Sequence, residues 1–508
     1  MAWPLATNSV WSLWAFGIIL CGCGNTKPTP PQDTSKPLVE PAAISSSAAP
    51  DPVDSMDDVP ATPSPRPTIA ATPPRFDPVA PPIAPANFRR ADTRPVRDSA
   101  QLASVGIHKY ESKHLLLYTD IDPQIARELP GFVDAIYPVW ERYFSPLPPD
   151  REGKLFQITG FLMKDRDLFR QMGLLPEDLP KFLNGRHRDR EFWMNEQEFD
   201  YYRRHLMLHE ATHCFMSVRR NNSLLPPVWY MEGMAEFFAT HTRDTNGELV
   251  FGVMPGDADN FDGLGRIALI QEAVETGRFD HLRDVLQLTP NDFLKNEAYA
   301  WSWALCYWLD QHPTYATRFR ELGQTKSRPE FLEQFEKKFQ NDAELMSVGW
   351  ALFATELVEG YDVPRAAIVE QPADRIADAN PAMVVVSADR GWQASGIPVK
   401  RGTVYEIRAT GRVTLAQEPK PWVSEPDGIT FDYCQGQPLG RLLLAIRDQA
   451  PGVQGIADGL LKPIPIGSQA TITAPVDGTI YLRVNDRWNR LSDNSGSYSV
   501  TVQAISEQ

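Results

Sequence analysis

Residues 208–213 read Leu-His-Glu-Ala-Thr-His, and this stretch sets the expectation for the fold and chemistry of the whole chain. It lies in a run from Asp200 whose apolar residues recur every three or four positions, which is typical of a buried helix. A spacing of four places His209 and His213 one turn apart on one face, so both imidazoles can reach one metal ion. Glu210 lies beside them, where its carboxylate can activate water at that ion. The stretch predicts a Zn²⁺ site with two histidine ligands and a glutamate base.

A third ligand is predicted further along the chain. Eighteen residues, Cys214–Met231, separate the second histidine from Glu232. They contain a break at 221–223 and a new helix start at the prolines 226 and 227, because proline is tolerated in a first helical turn. A second helix over 228–240 returns Glu232 to the metal.

Two histidines, one carboxylate and an open fourth position form the site that catalytic zinc requires. Glu236 lies one turn beyond Glu232 on the same helix face. We expect Glu236 to accept the free ring N–H of a ligand histidine and so to fix its tautomer. The alternatives are a helix that merely keeps His and Glu on a polar face, or a zinc site used only for folding. An open three-ligand pattern with an adjacent glutamate favours catalysis.

The block Trp229-Tyr230-Met231-Glu232-Gly233-Met234-Ala235-Glu236, together with the HExxH stretch, resembles the gluzincin metallopeptidases. The resemblance covers about residues 105–350. It implies a thermolysin-like domain with an N-terminal sheet and a helical remainder, His209, His213 and Glu232 as zinc ligands, Glu210 as general base, and a peptide or protein substrate. Similar members are exported bacterial proteins of uncharacterised substrate.

Gluzincins often use a Tyr or His on a later helix to stabilise the tetrahedral oxyanion. Tyr299, in the stretch 296–301, resembles such a helix, and Tyr307 and His241 are the alternatives. A donor of this kind is fixed by geometry, which sequence does not show. We take Tyr299 as the predicted second catalytic residue.

The first 98 residues predict export and a tether. An apolar run from Val10 to Leu20 is too short to span a bilayer but suits a signal peptide, and Leu20-Cys21-Gly22-Cys23 resembles a bacterial lipobox in which Cys23 is acylated. Residues 24–98 hold 18 of the chain's 45 prolines and predict an extended tether. An ordinary cleaved signal or an uncleaved anchor is the alternative.

The C-terminal part, from about Ala382, returns to short alternating strands with Gly and Pro turns, which predicts an all-β sandwich. Over about residues 383–505 it resembles the calcium-dependent galactose-binding bacterial lectins, most strongly from Asn485 to Val500. The resemblance implies Ca²⁺ bound by Asp486, Asp493 and Asn494, whose oxygen atoms suit this ion. The alternative is that Asp-Asn-Ser-Gly is a plain turn between strands.

Composition limits the partners. The 508 residues include 50 basic and 65 acidic side chains, for a net charge of −15, which argues against nucleic acid as a partner. Five scattered cysteines exclude a disulfide framework.

The sequence as a whole predicts an α+β protein in four parts: a lipoprotein-type signal peptide (1–23), a Pro-rich tether (24–98), a gluzincin-like domain (99–376) and a lectin-like β-sandwich (377–508). The predicted function is that of an exported, membrane-anchored zinc metallopeptidase facing the periplasm or cell surface, targeted by a domain that binds glycans through calcium. The alternative is an adhesion or scaffolding lipoprotein with an inert zinc domain.

Overall fold

The structure is a computed structural model, and it describes residues 88–220, 225–257, 259–375, 377, 380–448 and 458–505. The predicted signal peptide, Cys23 and the tether up to residue 87 therefore lie outside the described residues, as does the predicted break at 221–223. Within the described ranges, no helix combines the length and the apolar run needed to cross a bilayer.

The first module, up to residue 366, contains a mixed sheet and most of the helices. Its helices are α1 Ser99–Ser104, α2 Pro123–Phe144, α3 Arg166–Gln171, α4 Asp200–Arg219, α5 Val228–Ala239, α6 Arg266–Glu275, α7 Leu282–Leu286, α8 Asn296–Gln311, α9 Ala316–Leu322, α10 Arg328–Phe339, α11 Ala343–Thr355 and α12 Val363–Ala366. Its strands are β1 His108–Glu111, β2 Leu115–Thr119, β3 Ile158–Met163, β4 Gly185–Arg188, β5 Glu191–Asn195, β6 His241–Arg243 and β7 Leu249–Phe251.

The sheet of this module has five strands in the order β1-β2-β3-β5-β4. The central strands β2, β3 and β5 are parallel, and the outer strands β1 and β4 are antiparallel to their neighbours. Every residue of β3 is buried, as expected for a strand covered on both faces. Helix α4 contacts β4 and β5 on one side and α2 and α5 on others, so it lies buried between the sheet and the helices.

Residues 88–98, which the sequence assigns to the tether, instead pack on this sheet. Arg94 donates hydrogen bonds to Thr159 Oγ1 (2.7 Å) and to the Gln157 carbonyl (2.8 Å). Arg97 forms an ion pair with Glu191 at 3.0 Å. Guanidinium groups bound to acceptors at the beginnings of β3 and β5 hold this segment in place despite its polar composition, so the folded body begins before residue 99.

The C-terminal module is built almost wholly of strands. They are β8 Ala382–Ser387, β9 Gln393–Val399, β10 Val404–Thr414, β11 Val423–Ser424, β12 Ile429–Cys434, β13 Gln437–Leu439, β14 Leu442–Asp448, β15 Ile464–Pro465, β16 Gln469–Thr473, β17 Gly478–Val484 and β18 Ser495–Ile505, with a short helix α13 Asp458–Leu461.

Two sheets of this module share one apolar core. The first has the order β11-β10-β18-β8, with β16 also pairing with β10, and the second has the order β15-β14-β17-β9. Inward residues such as Ile407 and Val500 from one sheet and Leu444 and Leu482 from the other belong to the same buried cluster. The expected α+β class, helical in the middle and β in the C-terminal part, is confirmed. The boundary at 376/377 stays a prediction.

Candidate metal centre

Helix α4 brings the two histidines of the HExxH stretch together at its buried centre. The Nε2 atoms of His209 and His213 lie 3.1 Å apart, and both side chains are almost fully buried. Their four-residue spacing accounts for this geometry, because residues four apart lie one above the other on a helix. Both rings therefore face the same point.

Helix α5 brings Glu232 to that point. Its Oε2 atom lies 3.1 Å from His213 Nε2 and 3.3 Å from His209 Nε2. The next residue, Gly233, allows α5 to pack closely on α8, because a Cβ there would lie 2.4 Å from the Ser302 carbonyl oxygen. Gly233 thus allows α5 to lie close to α8, and α5 in turn sets the position of the Glu232 carboxylate.

The three donor atoms fit a zinc ion. With ligands at about 2.0–2.1 Å, neighbouring donors of a tetrahedral zinc site lie about 3.3–3.4 Å apart. The pairwise distances of 3.1, 3.1 and 3.3 Å are close to that spacing. In the described part of the chain, one potential ligand atom from each of three residues lies within 4.8 Å of the other two. The three residues are His209, His213 and Glu232.

The pKa values of the two histidines are shifted in opposite directions. Burial lowers the pKa of His213. Burial acts in the same direction on His209, but Glu232 and Glu236 outweigh it and raise the pKa of His209 to about 10. Burial opposes ionisation of Glu232 too, yet the two histidines hold its pKa below its usual value. A proton therefore resides on His209 at neutral pH and must leave when a metal ion binds.

Glu236 lies beside the His209 ring. Its Oε1 atom is 3.1 Å from His209 Nδ1, and its Oε2 atom is 3.1 Å from His205 Nε2. Arg266 binds both oxygens, with Nε at 2.8 Å from Oε2 and a terminal nitrogen at 3.0 Å from Oε1. Burial acts to raise the pKa of Glu236, but Arg266 and His205 outweigh it and hold the pKa well below its usual value.

The sequence did not predict two partners of Glu236, which are His205 and Arg266. His205 stands four residues before His209, so the same spacing that paired the ligands could have identified it. Arg266 begins α6, thirty residues from Glu236, and carries no local signal.

The predicted base, Glu210, is buried between α4 and strand β4. Its Oε2 atom lies 3.3 Å from Nδ1 of His187, and the His187 ring stacks on that of His213 with centroids 4.3 Å apart. His187 was also missed, because the polar stretch that follows residue 162 indicates helix and loop and not a strand.

Of the three candidates for an oxyanion donor, Tyr299 lies beside a predicted zinc ligand. Its ring lies 6.0 Å from that of His209. Burial raises the pKa of Tyr299, and the negative charges of Glu232, Glu236 and Glu210 raise it further. Tyr307 packs on Phe237 and His241 stacks on Tyr201 instead.

The loop predicted to bind calcium lies between β17 and β18. Asp486 and Asn494 are buried there, and Asp486 Oδ2, Asp493 Oδ1 and Asn494 Oδ1 are among the buried polar atoms for which the described residues supply no hydrogen-bond partner. Burial raises the pKa of Asp486, and the nearby charge of Asp493 adds to this rise. Three unpartnered oxygens, two of them from nearby carboxyl groups, fit an oxygen-preferring cation.

Comparison with protein families matches residues 205–329 to a family described as "Protein of unknown function (DUF1570)". That range contains the three donor residues and Arg266. No curated protein matches the chain.

Two of the solved structures that are similar to the chain resemble it in part. One is the EclA N-terminal domain, a PllA-like lectin, at 20% identity, covering 24% of this chain and 95% of that chain with a TM-score of 0.19. The other is PliG of Aeromonas hydrophila, a periplasmic inhibitor of g-type lysozyme, at 10% identity, covering 27% and 97% with a TM-score of 0.16. At these TM-scores we draw no conclusion about this chain from either likeness.

Proposed function

We propose that this protein is an exported zinc-dependent peptidase with a thermolysin-like catalytic domain. The observation that carries the proposal is the convergence of His209 Nε2, His213 Nε2 and Glu232 Oε2 at 3.1–3.3 Å beside a buried glutamate. Zinc bound by these residues would polarise a substrate carbonyl and lower the pKa of water for its attack. Two histidines and one carboxylate leave a coordination position open for this chemistry.

Each neighbouring side chain has a role in the proposal. Glu210 accepts the proton of the attacking water and passes it to the leaving amine. Tyr299 donates a hydrogen bond to the oxyanion, since burial and surrounding carboxylates keep its hydroxyl protonated. Glu236, itself held by Arg266, orients the His209 ring.

An extended peptide is the substrate that the surroundings of Glu210 favour. Strand β4 has one neighbour, β5, in the described sheet, so its outer edge offers unpaired backbone groups. A peptide can add to such an edge as a further strand. Because Gly185 and His187 of β4 lie against Glu210, a peptide added to this strand would pass close to the proposed catalytic base.

The proposal is tested by digestion of a peptide library with the zinc-loaded protein, its Glu210→Gln variant and its Tyr299→Phe variant. The wild type should cleave, Glu210→Gln should not, and Tyr299→Phe should lose about 10²–10³-fold in kcat, the usual effect of one oxyanion donor. A zinc-loaded wild type that cleaves no peptide would contradict the proposal and favour an adhesion or scaffolding lipoprotein.

We also propose that Cys23 is lipidated and anchors the protein to a membrane facing the periplasm or cell surface. The support is the lipobox-like stretch that ends at this residue. Acyl chains would be the anchor, because a Pro-rich tether has no membrane affinity of its own. Wild type should sediment with membranes and Cys23→Ser should stay in the supernatant, and soluble protein from both would contradict lipidation.

For the C-terminal module we propose calcium-dependent carbohydrate binding. The support is the set of unpartnered oxygens of Asp486, Asp493 and Asn494. A glycan array probed with and without a calcium chelator tests it. Binding that survives chelation, or no binding in either condition, would contradict the proposal.

A further inference from the structure

Strand β4 lies in close contact with Glu210, the proposed catalytic base, and no sequence motif predicts this contact. Gly185 lies so near Glu210 that a Cβ at this position would be 2.4 Å from Oε1. Two residues further on, Nδ1 of His187 lies 3.3 Å from the other carboxylate oxygen, Oε2. One strand thus contacts both oxygens of the same carboxylate.

Gly185 and His187 both lie against Glu210 because side chains alternate between the two faces of a strand. Gly185 pairs with Met194 and His187 with Phe192 in the antiparallel ladder with β5. Residues two apart on a strand point to the same face, so Gly185 and His187 both face α4. Arg186 and Arg188 are exposed.

The His187 ring is held on its other side by a predicted ligand. It stacks on His213 with a centroid distance of 4.3 Å and an interplanar angle of 20°. Its side chain is 24% exposed, whereas that of Glu210 is 6% exposed. His187 is therefore part of the wall of the centre, in contact with both a ligand and the base.

We infer that His187 is a positioning residue for Glu210, acting with the close approach of Gly185. This inference rests on the proposed peptidase function. An Nδ1–H tautomer donates a hydrogen bond to Oε2, and the glycine leaves room for Oε1 where any side chain would displace it. Together they fix the plane of the carboxylate relative to the metal ligands. A base misplaced by about 1 Å can lose on the order of 10²-fold in rate, so this orientation matters for catalysis.

Two substitutions separate hydrogen bonding from packing. His187→Phe keeps a ring to stack on His213 but removes the donor. His187→Asn places an amide N–H near the position of Nδ1 and restores the donor. Arg188→Gln, on the same strand, is the matched control.

The measurements are kcat and KM for a peptide that the wild type cleaves, together with zinc affinity by competition with a chelator. His187→Phe should lower kcat about 10–100-fold with KM and zinc affinity unchanged. His187→Asn should recover most of that loss, and Arg188→Gln should match the wild type. Gly185→Ala should also lower kcat, because its methyl group displaces Oε1.

The outcomes distinguish this inference from the function on which it rests. If the wild type cleaves and Glu210→Gln does not, but His187→Phe retains full kcat, the positioning role is overturned while the peptidase stands. An equal loss in His187→Phe and His187→Asn, or a loss of zinc affinity in both, would show a packing role and also overturn it. If the zinc-loaded wild type cleaves nothing, both proposals are overturned.

Discussion

At the scale of single residues, Glu236 joins the candidate metal centre to the rest of the first module. It is buried against His209, His205 and Arg266, so its charge is balanced by several partners at once. Glu232, by contrast, contributes its oxygen directly to the donor set. The two glutamates stand one helical turn apart but should affect zinc binding to very different degrees.

We expect Glu232→Ala to weaken zinc binding by several orders of magnitude, because a ligand is lost. Glu236→Ala should weaken it only about 10–100-fold, the usual effect of a group that orients a ligand. Atomic emission after dialysis, with chelator competition for the weaker change, measures both. Equal zinc occupancy in wild type and Glu232→Ala would exclude this residue as a ligand.

Proton release on zinc binding should report the raised pKa of His209. Because Glu232 and Glu236 raise that pKa to about 10, His209 is protonated at neutral pH and a metal ion must displace the proton. Apparent zinc affinity should therefore rise with pH between neutrality and about pH 10. Calorimetry in buffers of different ionisation enthalpy should count about one more proton released by wild type than by Glu236→Gln. Equal numbers of released protons in the two proteins would contradict the conclusion that Glu236 raises the pKa of His209.

The residues of the centre differ in how far sequence could place them. His209, His213 and Glu236 follow from helix periodicity, and Glu232 from the length of the connection plus a family resemblance. Arg266 and His187 could not be found in this way, because their positions depend on how α6 and β4 pack on α4 and α5. Such contacts are set by the tertiary fold and leave no regular spacing.

At the scale of elements, the packing of α5 on α8 sets where Glu232 lies relative to Tyr299. Gly233 is the contact point, with the Ser302 carbonyl and Cys306 Sγ only 2.4 and 2.6 Å from a built Cβ. Gly131, in α2, is a helical glycine with nothing within 4 Å of its built Cβ. Gly131 therefore serves as the matched control for a substitution at Gly233.

We expect Gly233→Ala to lower the free energy of unfolding by about 1–3 kcal/mol through overpacking. It should also reduce zinc affinity, since α5 must shift. Gly131→Ala should instead raise the free energy of unfolding by up to about 1 kcal/mol, because alanine is the better helix former. Urea denaturation followed by circular dichroism compares them. The same sign of change in both variants would contradict the close α5–α8 contact.

Long periodic elements were predicted well and short polar ones were not. The sequence over 123–144 has a helical pattern, and helix α2 has the same bounds, Pro123–Phe144. Helix α4 begins at Asp200, where its periodic run begins. Strands β4 and β6 were missed, because their residues are polar and their pairing partners supply the stability. Strand β7 is apolar but was missed because it is only three residues long.

At the scale of the whole molecule, the loop between β17 and β18 both carries the proposed calcium ligands and contacts the first module. Trp488 Nε1 donates to Glu356 Oε2 at 3.1 Å, and the Trp488 carbonyl accepts from the Asp362 amide at 3.0 Å. Asn489 donates to the Glu359 carbonyl at 2.8 Å. No pattern in the sequence predicts this contact, because it joins residues more than 120 positions apart.

Calcium should therefore stabilise the full chain. An ion that binds only the native loop adds about 2.7 kcal/mol to the free energy of unfolding at 100 times its Kd. Asp486→Ala combined with Asp493→Ala should abolish the rise in melting temperature, and Asp477→Ala, an exposed carboxylate of the same module, should leave it intact. A melting temperature that millimolar calcium does not move would exclude the site.

The central claim is that His209, His213 and Glu232 hold one zinc ion, and a zinc-edge anomalous difference map from crystals of the zinc-loaded protein tests it most directly. We predict one strong peak in the first module, about 2.0–2.2 Å from His209 Nε2, His213 Nε2 and a Glu232 carboxylate oxygen. A peak elsewhere in the module, or no peak at these three atoms despite full zinc loading, would contradict the account.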